Sequence, residues 1–182
     1  LSNISFDKII ETGTFLGNTT EFFSKYGKEV YSVEISELYY IFSKTRFLNH
    51  NNINLVNSNS LEFLENLSPS KESVFFYLDA HSVSRSLPLS KELEICSKFE
   101  NSIILVDDFK VPSNKEFQYD SYNGLDLSVE NFEILNNFDL YFPNYSPDEE
   151  EGSRGYVLID VSGNHRAIFN KISNLKLYEI TK

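Results

Sequence analysis

The sequence predicts an α/β protein: a doubly wound, mostly parallel sheet of seven strands with an antiparallel edge strand and helices on both faces. Segments of strand character alternate with segments of helical spacing from residue 6 to residue 108, the rhythm of repeated βαβ units. Two of the strands, "VFFYL" and "IILV", are continuous apolar runs, which is how a strand reads when helices cover both sheet faces. The last two strands are joined by a link short enough to suit an antiparallel pair.

Each element has its own signal. "FDKIIET" (6–12) reads as a strand, and "TTEFFSKYG" (19–27) as a short helix that Gly27, lacking a Cβ, closes in a left-handed cap. Strand "EVYSVEI" (29–35) leads into helix "SELYYIFSKTRFLNH" (36–50), where Ser36 can cap the start and apolar residues fall at helical spacing. Strand "INLVN" (53–57), helix "SLEFLENL" (60–67), strand "SVFFYLD" (73–79), helix "LPLSKELEICSKF" (87–99) and strand "NSIILVDD" (101–108) continue the alternation. In the fourth helix Leu89, Leu93, Cys96 and Phe99 share one face while Lys91, Glu94 and Lys98 point away. Beyond Asp108 the rhythm breaks. "FKVPSNKEFQYDSYNGLD" (109–126) is polar, aromatic and turn-rich, too long for an ordinary connection and so a candidate functional loop. A helix over 127–138 follows, then strands "DLYF" (139–142) and "RGYVLIDV" (154–161) joined by the acidic "PNYSPDEEEGS"; the tail from 165 to 182 is weakly amphipathic and has no assigned element.

The 182 residues fit a single domain, 1–182, with enough apolar surface to fold without disulfide or metal staples. A formal net charge of −11, with Lys and Arg scattered, argues against nucleic acid and against an anionic membrane surface as partners. The single cysteine, Cys96, has no partner in the chain, so a reducing, cytoplasmic setting is expected. No apolar run approaches the roughly 20 residues that span a bilayer. The chain begins at Leu1 and contains no Met, so a trimmed natural N-terminus is expected.

In an open parallel sheet, ligands bind beyond the carboxyl ends of the strands. Here those ends carry Glu11, Gly13 and Gly17; Glu34; Asn57, Asn59 and Ser60; Asp79 and His81; and Asp107 and Asp108. Each has a structural alternative: glycines that let strand and helix pack, a solvated strand end, a helix cap, a turn carboxylate. Five polar strand ends at one edge weaken that alternative jointly. Glu34 lies 34 − 11 = 23 positions after Glu11, near the roughly 20-residue separation that places an acid on a ribose. A carboxylate there accepts from both ribose hydroxyls. The Glu11 carboxylate beside the glycine turn is unfavourable for a pyrophosphate and favourable for an ammonium or sulfonium, so the charge pattern selects a cationic nucleoside.

"ETGTFLGNTT", "VEIS", "NSNSLEFL", "FFYLDAH" and "IILVDDF", in this order and spacing, resemble the successive motifs of class I S-adenosylmethionine-dependent methyltransferases, which have a Rossmann-like fold. The resemblance implies that Glu11 and Gly13 line the methionine end of the cofactor, with Thr14 and Gly17 in the same cofactor-binding turn. It implies Glu34 on the ribose hydroxyls, Asn59 and Ser60 by the adenine, and Asp79 below the methyl group. A finer similarity, of Asp79, Asp107 and Asp108 to metal-dependent small-molecule O-methyltransferases of the catechol and macrocin type, implies a divalent cation such as Mg²⁺ held by these three. His81 has three open roles: general base for a substrate hydroxyl, metal ligand, or turn histidine. The expected acceptor is a small hydroxylated molecule, with Tyr119, Asp120, Tyr122 and Asn123 as candidate contacts and Arg154 as an anchor for an acidic group. A homodimer is a further expected association. The rivals are a non-catalytic nucleoside- or protein-binding module of the same fold, and an NAD-dependent oxidoreductase.

Overall fold

The computed structural model describes residues 4–80, 87–112, 114–147 and 153–179. The chain packs as two compact units, residues 1–102 and 103–182.

The first unit is the parallel α/β part. Its strands are β1 (Phe6–Thr12), β2 (Gly27–Glu34), β3 (Ile53–Asn57) and β4 (Val74–Leu78), and its helices are α1 (Asn18–Phe23), α2 (Glu37–Arg46), α3 (Ser60–Glu65) and α4 (Leu89–Cys96). β1 pairs in parallel with both β2 and β4, and β2 pairs in parallel with β3. The register decides the faces, because laterally paired residues point to the same side. Ile10 pairs with Tyr31 and Phe76, and Phe63 of α3 and Phe99 beyond α4 pack on those rings, at 6.4 and 5.2 Å between centroids. Phe75 and Tyr77 point the other way and meet Phe23 of α1 at 5.6 and 5.2 Å. Helices therefore cover both faces, and "VFFYL" is apolar throughout for that reason.

Two local expectations are corrected. α1 ends at Phe23, and Gly27 opens β2 instead of capping the helix. A Cβ on Gly27 would lie 2.8 Å from Cγ1 of Ile9, so this glycine serves close strand packing. Ser36 precedes α2 without a side-chain cap bond; its N–H donates to Glu34 Oε1 instead.

The second unit carries β5 (Ser102–Val106), a two-residue hairpin of β6 (Ser121–Tyr122) and β7 (Leu125–Asp126), then β8 (Asp139–Pro143), β9 (Val157–Asp160), α5 (Arg166–Phe169) and β10 (Leu175–Tyr178). β8 and β9 form the expected antiparallel pair, but β9 is interior, between β5 and β8, and the edge is β10, from the tail the sequence leaves unassigned. Leaving the hairpin aside, the strands among the described residues number eight instead of seven. The expected helix over 127–138 is two 3₁₀ turns, Val129–Asn131 and Glu133–Asn137. From Val129 onward its buried residues, Val129, Phe132 and Leu135, recur every three positions, which matches the 3₁₀ repeat better than 3.6. The 109–126 loop is organised by Asn123 and Gly124, at φ of 54° and 83°, the two positive dihedrals of a tight primed turn.

Asp160 ties the tail down. Its buried carboxylate accepts from His165 N–H at 2.8 Å and contacts His165 Nδ1 at 3.0 Å, closing the turn from β9 into α5. Asp160→Ala should cost about 1–3 kcal/mol, the cost of unpaired buried polar groups. Urea unfolding monitored by circular dichroism checks this, with a lower midpoint and an unchanged slope expected.

Candidate functional site

The C-terminal edge of the first unit's sheet brings Glu11, Gly13, Thr14, Gly17, Glu34, Asn59, Ser60 and Asp79 to one end of four adjacent parallel strands. β1 sets the geometry. Beyond Thr12, the Gly13 and Thr14 N–H groups donate to Val33 O at 2.9 and 3.3 Å, and Asp79 N–H donates to Thr12 O at 3.1 Å. Gly13 and Gly17 take φ of 92° and 79°, which L side chains rarely adopt. The chain's own atoms lie close beside each. A Cβ on Gly13 would lie 2.7 Å from the Asp79 carbonyl oxygen, and one on Gly17 2.6 Å from the Phe47 ring. Gly13 thus brings the β1 turn directly against Asp79.

Glu11 is fully buried on the α1 face. Its Oε2 accepts from the Ser32 hydroxyl at 2.5 Å and from the Thr20 hydroxyl, and Thr14 Oγ1 lies 2.6 Å from Ser32 Oγ. Oε1 has no hydrogen-bond partner. Burial pushes the Glu11 pKa up to about 7, against the pull of the two hydroxyls. Glu34 is held differently. Its Oε2 accepts from Phe15 N–H and its Oε1 from Ser36 N–H, each at 2.8 Å, and 6 % of the residue remains exposed. Each carboxylate oxygen has a second lone pair, so two acceptor sites remain at fixed positions. Phe15 reaches Glu34 from a left-handed conformation at φ 48°, held by Ser43 Oγ donating to its carbonyl at 2.9 Å.

Asn59 is the N-cap of α3: its Oδ1 accepts from Glu62 N–H at 2.8 Å and its Nδ2 donates to Glu62 Oε2 at 3.1 Å. Its amide thereby holds the helix end. Ser60, the first residue of α3, faces an acid that the sequence reading missed. Glu92 of α4 is fully buried, and neither of its carboxylate oxygens has a partner in hydrogen-bond geometry. Burial pushes its pKa up to about 7, the Ser60 and Thr12 hydroxyls beside it pulling the other way. The signal was present: Glu92 falls at helical spacing between Leu89 and Cys96, within the apolar face. Because Glu11 and Thr12 are successive on β1, they point to opposite faces. A buried carboxyl therefore lies on either side of the β1 terminus.

Asp79 belongs to the first unit, whereas Asp107 and Asp108 follow β5 in the second. Among the described residues no group of three or more His, Cys, Asp or Glu is placed to hold a metal ion. Asp107 Oδ1 accepts from Asp108 N–H at 3.0 Å, a turn contact. Asp108, at φ 54°, has its Oδ1 3.0 Å from Arg154 Nη1, and Arg154 also pairs with Asp120 at 2.5 Å. Burial and the neighbouring Asp107 raise the Asp108 pKa to about 6, with Arg154 opposing. The guanidinium thus supplies a cation beside Asp108 and Asp120. The same contacts engage Arg154, expected to anchor a substrate, and Tyr122 Oη donates to Asp120 at 2.8 Å. His81 lies outside the described residues.

No family model matches the chain, and no curated protein matches it. Solved structures do. A proposed O-methyltransferase from Klebsiella pneumoniae superposes with a TM-score of 0.62 at 15 % identity, covering 85 % of this chain and 72 % of its own. The N-methyltransferase NodS from Bradyrhizobium japonicum WM9 gives 0.59 at 10 %, covering 87 % and 86 %. Aeropyrum pernix fibrillarin, solved with natively bound S-adenosyl-L-methionine, gives 0.58 at 13 %, covering 87 % and 68 %. The fold is that of the class I, Rossmann-like S-adenosylmethionine-dependent methyltransferases: a mostly parallel α/β sheet with antiparallel strands added.

The buried carboxyls have a pH consequence. A group whose pKa rises from 4.5 to about 7 on folding binds more protons folded than unfolded across that window, so its contribution to stability falls as pH rises through it. Glu92→Gln removes one such group. The variant should gain about 3 kcal/mol relative to the parent between pH 4.5 and pH 8, read as the change in their stability difference by urea unfolding at both pH values.

Proposed function

We propose that this protein is a methyltransferase that binds S-adenosylmethionine at the C-terminal edge of β1–β4 and methylates a hydroxyl of a small molecule. The observation that carries the reading is Glu34: a carboxylate oriented by two backbone N–H groups, with one acceptor site left on each oxygen, at the end of β2. That is the chemistry a ribose diol requires. The exposed Ile35 side chain next to it offers an apolar surface for a base. On the other side of the β1 terminus, the unpartnered Oε1 of Glu11 is a buried acceptor whose ionised form a cationic group would stabilise.

Bound there, S-adenosylmethionine would supply a methyl group activated by its positively charged sulfur. The chain's own part is orientation. Gly13 brings the turn against Asp79, Glu34 fixes the ribose, and Asp79 stands at the end of β4 where the reacting end of such a ligand would lie. Holding nucleophile and electrophile in line accounts for most of what such a site must do. No step is assigned to a metal ion, since Arg154 already lies on Asp108 and Asp120.

Thermal unfolding with S-adenosylmethionine, S-adenosylhomocysteine and NAD tests the reading. Ligand at about 100 times its Kd should raise the midpoint by roughly 5 to 11 °C for the adenosylmethionine pair and leave it unmoved for NAD. Glu34→Ala should abolish that shift, whereas Asp79→Asn should keep most of it and lose turnover. A Glu34→Ala protein that binds normally would disprove the ligand placement. Binding without methyl transfer to any of a panel of hydroxylated acceptors would favour the non-catalytic module.

A further inference from the structure

Glu92 sits where an amphipathic helix ordinarily places an apolar residue. It is fully buried on α4, and neither carboxylate oxygen has a partner in hydrogen-bond geometry. A buried carboxylate in that state is costly unless donors nearby can satisfy it. The groups beside it are the hydroxyls of Ser60, at the start of α3, and Thr12, at the end of β1. Thr12 shows how such a hydroxyl is used. Its Oγ1 accepts from Asp79 N–H at 3.3 Å, which leaves its one hydrogen for Glu92. Ser60 differs in being partly exposed at the strand edge. The turn before it is fastened to the ribose-binding candidate, since Asn57 Nδ2 and Ser58 N–H donate to the Glu34 carbonyl at 2.7 and 3.2 Å.

We infer, resting on the ligand placement proposed above, that Glu92 is a positioning residue that acts through Ser60 to select a base carrying an exocyclic amine. With the ribose on Glu34 and the base against Ile35, the turn from β3 into α3 is the next structure along the sheet edge, and its first helical residue is Ser60. A carboxylate has no hydrogen to give, so the Ser60 hydrogen is drawn to Glu92 and the lone pairs of Ser60 Oγ face the edge. An amine N–H donates to those lone pairs. An oxo group at the same place meets them with no hydrogen between the two oxygens. A serine without the buried acid behind it could turn either way and would separate the two bases poorly. Burial suits the acid to this task, because no water competes for the serine hydrogen.

Isothermal titration calorimetry with S-adenosylhomocysteine and with S-inosylhomocysteine, whose base has an oxo group in place of the amine, tests this. The titrations are run at about pH 8.5, above the value of about 7 to which burial moves Glu92. The parent should prefer the amine by roughly 10- to 100-fold, the cost of leaving polar groups mismatched. Glu92→Gln, whose amide can donate to Ser60 and turn the serine hydrogen outward, should collapse that ratio while S-adenosylhomocysteine still binds. Ser60→Ala, at a partly exposed position, should do the same. The double variant should collapse it no further, because the two residues act as one unit. Equal affinities in the parent overturn the inference alone. So does a Glu92→Gln protein that weakens both ligands alike and keeps the ratio, which would leave Glu92 a purely structural group. A parent that binds neither compound overturns the ligand placement and the inference with it.

Discussion

The candidate site depends on how β1 ends. Because β1 is hydrogen-bonded on both sides, to β2 and to β4, its last residues have no lateral freedom. The Gly13 N–H continues the ladder to Val33 O while Asp79 N–H closes on Thr12 O. This arrangement forces a left-handed turn at Gly13 and leaves no room for a Cβ against the Asp79 carbonyl. From that turn follow the position of Phe15, whose N–H orients Glu34, and the seat of α1, whose Thr20 reaches Glu11. A carboxylate fixed by backbone groups needs no reorganisation when a ligand arrives, which is what makes such an edge useful for binding.

The placement of acids around this terminus differs between the two sheet faces. On the α1 face Glu11 is partly satisfied by hydroxyls; on the α3 and α4 face Glu92 has Ser60 and Thr12 nearby without good hydrogen bonds. Burying two carboxyls this way disfavours their ionised forms. Carboxyls perturbed in this way cluster at functional sites. In the second unit a counter-ion, Arg154 between Asp108 and Asp120, only partly offsets the burial of Asp108, whose pKa stays raised to about 6.

Much of the first unit was legible in the sequence because its signals are local. Alternating strand and helix patterns, the apolar runs at Val74–Leu78 and Ser102–Val106, and the polar strand ends each depend on neighbours a few residues away. Glu34 was legible because its distance from Glu11 reflects the length of one βα unit. The left-over tail was not legible. α5 and β10 are short and weakly patterned, and they are placed by Asp160 and by pairing with β8. The 127–138 segment was misread as α-helix because apolar residues every third position fit 3.6 and 3.0 residues per turn almost equally over so short a stretch.

By itself, the sequence determined the fold class, the order of elements and the acidic, glycine-containing strand ends, since these rest on periodicity and spacing along the chain. Only the tertiary structure decided what each polar residue is committed to. Asn59 caps a helix, Asp108 pairs with Arg154, and Glu92 is enclosed although it lies in a chain segment that reads as an ordinary amphipathic helix. The same holds for α2, whose composition does not say which face turns inward. The physical reason is common to all of them: hydrogen bonding, ion pairing and burial depend on atoms far apart in sequence, and a residue's chemistry is set by the partners that the fold brings to it.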